Sequence, residues 1–146
     1  MQKRLTQYPR RGQMWADEMT VLAGNGVTFG VGATQLYCNY CYQLAYANAS
    51  SAGWNFQCEA GDYTFTVLYV KANVCGIIDF YIDGVAVDTG LDTYAAATAW
   101  NQTRAIAVTG LAAGRHTFKY VVNGKNAGSG NYAFYVTKVS FKQATD

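Results

Sequence analysis

An all-β chain, built as one antiparallel β-sandwich, is what this sequence predicts, and three observations carry the prediction. Over residues 62–70, Tyr63, Phe65, Val67 and Tyr69 alternate with Thr64, Thr66, Leu68 and Val70, the period of two that sends successive side chains to opposite faces of a strand. Turn signals, Asp83-Gly84 and Asn123-Gly124 among them, break the chain at short intervals. Only residues 94–100, with their alanines, offer a turn of helix.

Residues 1–16 read as an extended basic N-terminal arm: Lys3, Arg4, Arg10 and Arg11 cluster there with the sole proline, Pro9, and no sustained periodicity. Residues 17–146 read as a single sandwich domain. Its first half holds short strands at 20–22, 27–29, 35–37, 43–46 and 54–57, set between Gly, Asn and Ser breakers. Segment 62–70 is largely apolar on both faces, as a central strand of a two-layer structure is. Segment 76–82 follows, with Ile78, Phe80 and Ile82 on one face and Ile77, Asp79 and Tyr81 on the other. Asp83-Gly84 suits a two-residue hairpin turn with positive φ, returning through 85–88. Strands at 104–108 and 115–122 are joined by a tight loop carrying Gly110 and Gly114. Asn123-Gly124 and the loop 125–130 precede a last strand, 132–141. About ten short strands at this spacing describe a jelly-roll sandwich. A chain of this size buries roughly 70% of its unfolded surface, which sustains a core without metal or disulfide.

Composition excludes several classes of function. Charged residues are 14% against 51% hydrophobic, which is not the balance of a disordered polyelectrolyte. Four of the 11 cations fall in residues 1–11, so the body carries fewer basic than acidic side chains and is no nucleic-acid wrapper. No run approaches the ~18 apolar residues of a membrane span, and the N-terminus lacks the apolar stretch of a secretory signal. The expectation is synthesis in the cytoplasm, where Cys38, Cys41, Cys58 and Cys75 stay reduced.

The motifs that carry chemistry elsewhere are thin here. Cys38 and Cys41 have CxxC spacing, but Cys58 and Cys75 stand singly beside separate strands, so half-buried thiols are expected and no metal site. His116 is the single histidine, at a strand start, without a paired nucleophile motif. It reads as a residue that fixes a turn by hydrogen bonding. Asp79, Asp83, Asp88 and Asp92 lack the EF-hand spacing: Asp83 belongs to the Asp-Gly turn, while Asp88 and Asp92 flank Gly90 in a loop. Gly24-Asn25-Gly26 and Gly128-Ser129-Gly130 are turns, since neither leads into a phosphate-binding helix. The aromatics carry the recognition chemistry. Trp54, Tyr94 and Trp100 are the candidate recognition residues, because rings at loop or strand ends stack on sugars or anchor interfaces, whereas at least half of the 22 rings belong to the core.

Residues 110–118, Gly-Leu-Ala-Ala-Gly-Arg-His-Thr-Phe, followed by Gly124-Lys125-Asn126 and Tyr132-Ala133-Phe134-Tyr135-Val136, resemble the ending of jelly-roll domains in tailed-bacteriophage virion proteins. The Phe80-Tyr81-Ile82-Asp83-Gly84-Val85 hairpin fits the same pattern, and a more remote similarity runs to jelly-roll carbohydrate-binding modules. The resemblance spans roughly residues 62–142 and implies a non-enzymatic capsid decoration (cement) protein located in the virion. Its partners would be the major capsid protein and neighbouring virion subunits. It would form a homo-oligomer, a trimer by preference, with Lys3, Arg4, Arg10 and Arg11 as an assembly arm. No cofactor, nucleic acid or membrane is implied. The alternative is a receptor- or glycan-binding domain that takes a surface glycan.

Overall fold

The computed structural model describes residues 12–23, 28–31, 40–44 and 47–144. In chain order its elements are β1 (Gln13–Trp15), a 3-10 turn (Ala16–Glu18), β2 (Thr20–Ala23), β3 (Thr28–Val31), β4 (Tyr40–Leu44) and β5 (Ser51–Cys58). β6 (Gly61–Lys71), β7 (Ile77–Ile82), β8 (Val85–Asp92), β9 (Ala99–Leu111), β10 (Gly114–Val122) and β11 (Phe134–Gln143) follow. They form two antiparallel sheets, a jelly-roll β-sandwich. One layer runs β3-β4-β11-β6-β9, with β1 also on β11; the other runs β2-β5-β10-β7-β8. β1 and β4 pair with successive stretches of β11, residues 138–140 and 134–136.

The alternation read from 62–70 is the reason for this layering. Tyr63, Phe65, Val67 and Tyr69 point into the sandwich from β6, and Ala52, Trp54 and Phe56 from β5, Ile78, Phe80 and Ile82 from β7, and Phe118, Tyr120 and Val122 from β10 meet them. The centre is aromatic: Phe65 stacks on Phe118 across the two sheets at 5.5 Å, and Tyr120 meets Phe134 edge-on at 4.8 Å. Such pairs contribute about 0.5–1.5 kcal/mol each beyond the area they bury. At one lateral edge the layers are joined by Arg104 of β9, which reaches Asp88 of β8 with two hydrogen bonds of 2.7 and 2.9 Å. That carboxylate holds the Arg104 guanidinium above its ordinary pKa through hydrogen bonding.

Several sequence expectations change in the structure. The arm was expected to run to residue 16, but β1 is part of the sheet and Met14 is fully buried in the core. The alternation of Met14 with its neighbours is too short to register as a strand. The alanine-rich segment 94–100 forms no helix; it leads into β9, which begins at Ala99 and is far longer than the expected 104–108. β8 likewise runs on to Asp92, so Asp88 is a strand residue and not a loop residue. The Asp83-Gly84 hairpin is as expected, with φ of 51° and 80°. Lys3, Arg4, Arg10, Arg11 and Cys38 lie outside the described residues.

Candidate functional site

The two ends of the sandwich are built differently. Register pairs Val121↔Ser51, Val122↔Ile78, Ile77↔Asp92 and Lys71↔Ala99 place loops 47–50, 72–76, 93–98 and 123–133 together at one end. Their backbones tie to one another: Ala72 N–H to Thr93 O at 3.2 Å, Gly130 N–H to Asn73 O at 2.9 Å, and Gly76 N–H to Ala133 O at 2.8 Å. Buried hydroxyls complete the set, with Thr93 donating to Gly76 O at 2.6 Å and Ser129 to Cys75 O at 2.8 Å. Each buried polar group so satisfied removes a reason for the loops to open.

One side-chain chain then positions an aromatic ring. Asp92 accepts the Tyr94 N–H through Oδ1 at 3.0 Å and the Asn126 amide through Oδ2 at 2.8 Å. Asn126 Oδ1 in turn accepts the Gly128 N–H at 2.9 Å. Loop 93–98 is thereby fixed against loop 123–133. A Cβ on Gly128 would stand 3.0 Å from the Tyr94 hydroxyl and 3.1 Å from its Cζ, so glycine at this position lets the phenol lie against the loop backbone. Lys125 donates to Ser129 O at 2.9 Å and sits 5.8 Å above the Tyr132 ring. Trp100 lies beside the register shift between Tyr69 and Lys71, where Asn101 takes a left-handed φ of 53°. Tyr94, Trp100 and Tyr132 are all half-buried. The loop end thus offers partly exposed rings, an amide, an ammonium and a carboxylate in fixed places. That set of groups suits C–H/π stacking and hydroxyl hydrogen bonding.

The opposite end has tight turns and one histidine. His116 Nδ1 is 2.6 Å from Asp83 Oδ2, its Nε2 is 2.7 Å from Ala112 O, and its ring stacks on Phe56 at 5.4 Å. Both ring nitrogens face acceptors, so the imidazolium is the form that satisfies both. The hydrogen bond to Asp83 accordingly raises the His116 pKa. Burial alone would raise that of Asp83, yet hydrogen bonds from His116 and the Thr117 N–H bring it below the usual carboxylate value. His116 fixes turns by hydrogen bonding, in agreement with the sequence reading. Neither of its nitrogens serves a nucleophile. Burial pushes the Cys58 thiol pKa up, away from the thiolate form.

The structure separates the candidate recognition residues. Tyr94 and Trp100 lie at the loop end, but Trp54 is 4% exposed and packs between Phe118 and Tyr120, its indole N–H donating to Trp15 O at 2.7 Å. Its place in the alternation Ala52, Trp54, Phe56 is what buries it. The four aspartates are dispersed to four tasks: Asp83 and Asp92 as above, Asp88 on Arg104, and Asp79 accepting from Gly90 N–H at 2.8 Å and the Asn123 amide at 2.7 Å. Among the described residues no three His, Cys, Asp or Glu side chains gather as a metal site. Asn126, Lys125 and Tyr132 were missed as site residues. Their signal was the Gly-Lys-Asn that follows a strand, which places polar side chains on a loop directly beside the core.

No protein-family model matches the chain, and no curated protein sequence matches it. Solved structures do. A Paenibacillus xanthan lyase matches with a TM-score of 0.79 at 15% identity over 93% of this chain, which spans 13% of the lyase chain. A family 35 carbohydrate-binding module from Clostridium thermocellum matches with a TM-score of 0.68 at 11% identity, covering 90% of this chain and 97% of the module. The CBM36-1 domain of a multidomain xylanase from the hindgut metagenome of Trinervitermes trinervoides gives 0.62 at 16% identity, covering 90% and 96%. The fold is that of jelly-roll carbohydrate-binding modules.

Proposed function

We propose that this domain is a non-catalytic carbohydrate-binding module whose loop end receives a saccharide. The observation that carries the reading is the Asp92–Asn126–Gly128 hydrogen-bond chain that holds Tyr94 in a fixed, partly exposed position. A ring ordered before the ligand arrives loses little entropy on binding, so even a modest sugar contact yields net affinity. Asn126, Lys125 and Asp92 supply the donors and acceptors that read hydroxyl positions, and Trp100 and Tyr132, half-buried at the same end, add ring surface. The fold likeness to isolated binding modules of nearly the same length supports a domain that binds without turnover. The virion-decoration reading has no observation in its favour beyond sequence likeness, and Lys3, Arg4, Arg10 and Arg11 of its assembly arm lie outside the described residues.

Affinity electrophoresis through gels carrying xylan, mannan, galactan or xanthan tests the proposal. At least one polysaccharide retards the native domain, and Tyr94→Ala loses most of the retardation while its unfolding midpoint stays close to native. Native migration unchanged in every gel, or a Tyr94→Ala variant retarded as strongly as the native chain, overturns it.

A further inference from the structure

Two strands end the sheets on one side of the sandwich, β8 in one layer and β9 in the other. β8 is interrupted by register shifts between Ile78 and Phe80 and between Phe80 and Tyr81 on its partner, and Gly90 within it has a φ of 78°. Such bulges keep an edge from accepting another strand. β9 pairs with β6 without interruption from Gln102 to Val108, and no strand of this chain among the described residues pairs with its other side. The outward side chains of β9 from 103 to 109, Thr103, Ala105, Ala107 and Thr109, the last one residue past the uninterrupted pairing, are small, uncharged and exposed. Its one charge, Arg104, turns between the layers to Asp88. Val85, 66% exposed and the one large exposed apolar side chain among the described residues, opens β8 on the same side.

Residues 103–109 read Thr-Arg-Ala-Ile-Ala-Val-Thr, with like outward residues at equal distances either side of Ile106. Antiparallel pairing of a strand with its own copy about a two-fold axis sets residues equidistant from the centre against each other. Centred on Ile106, it brings Thr103 opposite Thr109 and Ala105 opposite Ala107 of the second copy. Arg104 faces Val108, so no like charges meet. We propose that β9 is a dimerisation edge on which a second copy of this chain adds its own β9, joining two six-stranded sheets into one. The backbone groups left over by an edge strand are the source of affinity, and the small side chains allow the approach. A single strand pair buries less than the ~1,200 Å² of a standard interface, so the dimer is weak and reversible. The two-fold axis sends the loop ends in opposite directions. On the saccharide reading above, the pair therefore bridges two polysaccharide chains and does not grip one chain twice.

Sedimentation equilibrium from about 1 μM to about 1 mM, without saccharide, tests the edge independently of that reading. The native chain shifts toward twice the monomer mass. Ala105→Lys combined with Ala107→Lys sets lysine against lysine twice across the axis and leaves a monomer. Ala105→Lys combined with Ala107→Glu sets unlike charges together and restores the dimer, now weakened by salt. As a check that needs no variant, β9 amide exchange slows as native concentration rises. A native monomer throughout, a dimer that survives the double lysine change, or unlike charges that fail to restore it, overturns the proposal.

Discussion

The loop end and the turn end of this sandwich are held by different physics. At the turn end, connections are short and close directly onto the aromatic core: Phe56 is fully buried and meets Phe65 at 5.5 Å, Phe141 at 5.0 Å and His116 at 5.4 Å. At the loop end the connections are long and irregular, and side-chain amides, carboxylates and hydroxyls take the place of ladder hydrogen bonds. A sheet edge that closes on apolar rings has little left with which to recognise a ligand. Loops tied by polar groups hold rings and hydrogen-bonding atoms in the open, on a scaffold whose stability comes from elsewhere.

The sharpest way to break that contrast is to damage each end in turn. Phe56→Ala leaves a cavity among the three rings of Phe65, His116 and Phe141 and is expected to cost about 3–5 kcal/mol, read as a large drop in the urea midpoint. Saccharide retention by the protein that remains folded stays unchanged. Asn126→Ala is expected to do the reverse: it frees loop 93–98 from loop 123–133 and lowers retention, at a stability cost of about 1 kcal/mol. Equal losses of binding in both variants would show that the ends are not separable.

Much of the turn end was legible in the sequence, and the reason is local. Alternation over 62–70 and 76–82, with Asp83-Gly84 between strands, specifies both the ladder and its turn, because period and φ preference are properties of neighbouring residues. His116 was readable for the same reason, as a polar residue at a strand start beside a turn. The loop end was legible only in part. Tyr94 and Trp100 stood out as aromatics near breakers, but the link from Asp92 to Asn126 spans 34 residues, and no spacing announces it. Trp54 misled, since a ring beside Gly53 and Asn55 reads as a strand end until the inward row of β5 is seen. The arm boundary failed because three residues of β1 are too few to show a period.

A boundary case sharpens the contrast. Asp79 is 5% exposed, lies on β7, and ties Gly90 of β8 to Asn123 of the loop end. Asp79→Ala leaves the Gly90 N–H and the Asn123 amide without their acceptor and is expected to cost about 1–3 kcal/mol, with a smaller parallel loss of retention. Asp79→Asn keeps an acceptor oxygen and recovers part of both.

pH separates the ends without mutation. The folded His116 pKa lies above its unfolded value, so its contribution is complete below the unfolded pKa and fades as pH rises through the folded one. The folded Asp83 pKa lies below its unfolded value, so its contribution is complete above the unfolded pKa and fades as pH falls through the folded one. Stability from this pair is therefore greatest in mildly acidic solution, between the carboxylate and imidazole ranges. His116→Gln is expected to lose about 1–2 kcal/mol there and progressively less above neutrality, giving a flatter curve of unfolding free energy against pH. A native curve with the same shape as that of His116→Gln would remove the charged clasp from the turn end.

The smallest effect comes from the charge alone. Asp83→Asn keeps a residue that accepts a left-handed φ, and its side-chain oxygen still accepts the Thr117 N–H, which Asp83 receives at 2.9 Å. The hairpin turn is therefore preserved. What disappears is the negative charge beside His116, and since the Asp83 side chain is 47% exposed, water already screens most of the attraction. The expected loss is about 0.2–1 kcal/mol near pH 6, within the range of exposed ion pairs. The larger change is in titration: without its charged acceptor, His116 moves back toward the ordinary imidazole pKa, which histidine NMR titration measures directly. Saccharide retention at the far end is expected to be identical in the two proteins at every pH. A retention curve that followed the His116 titration would mean that the turn end reaches the loops through the core.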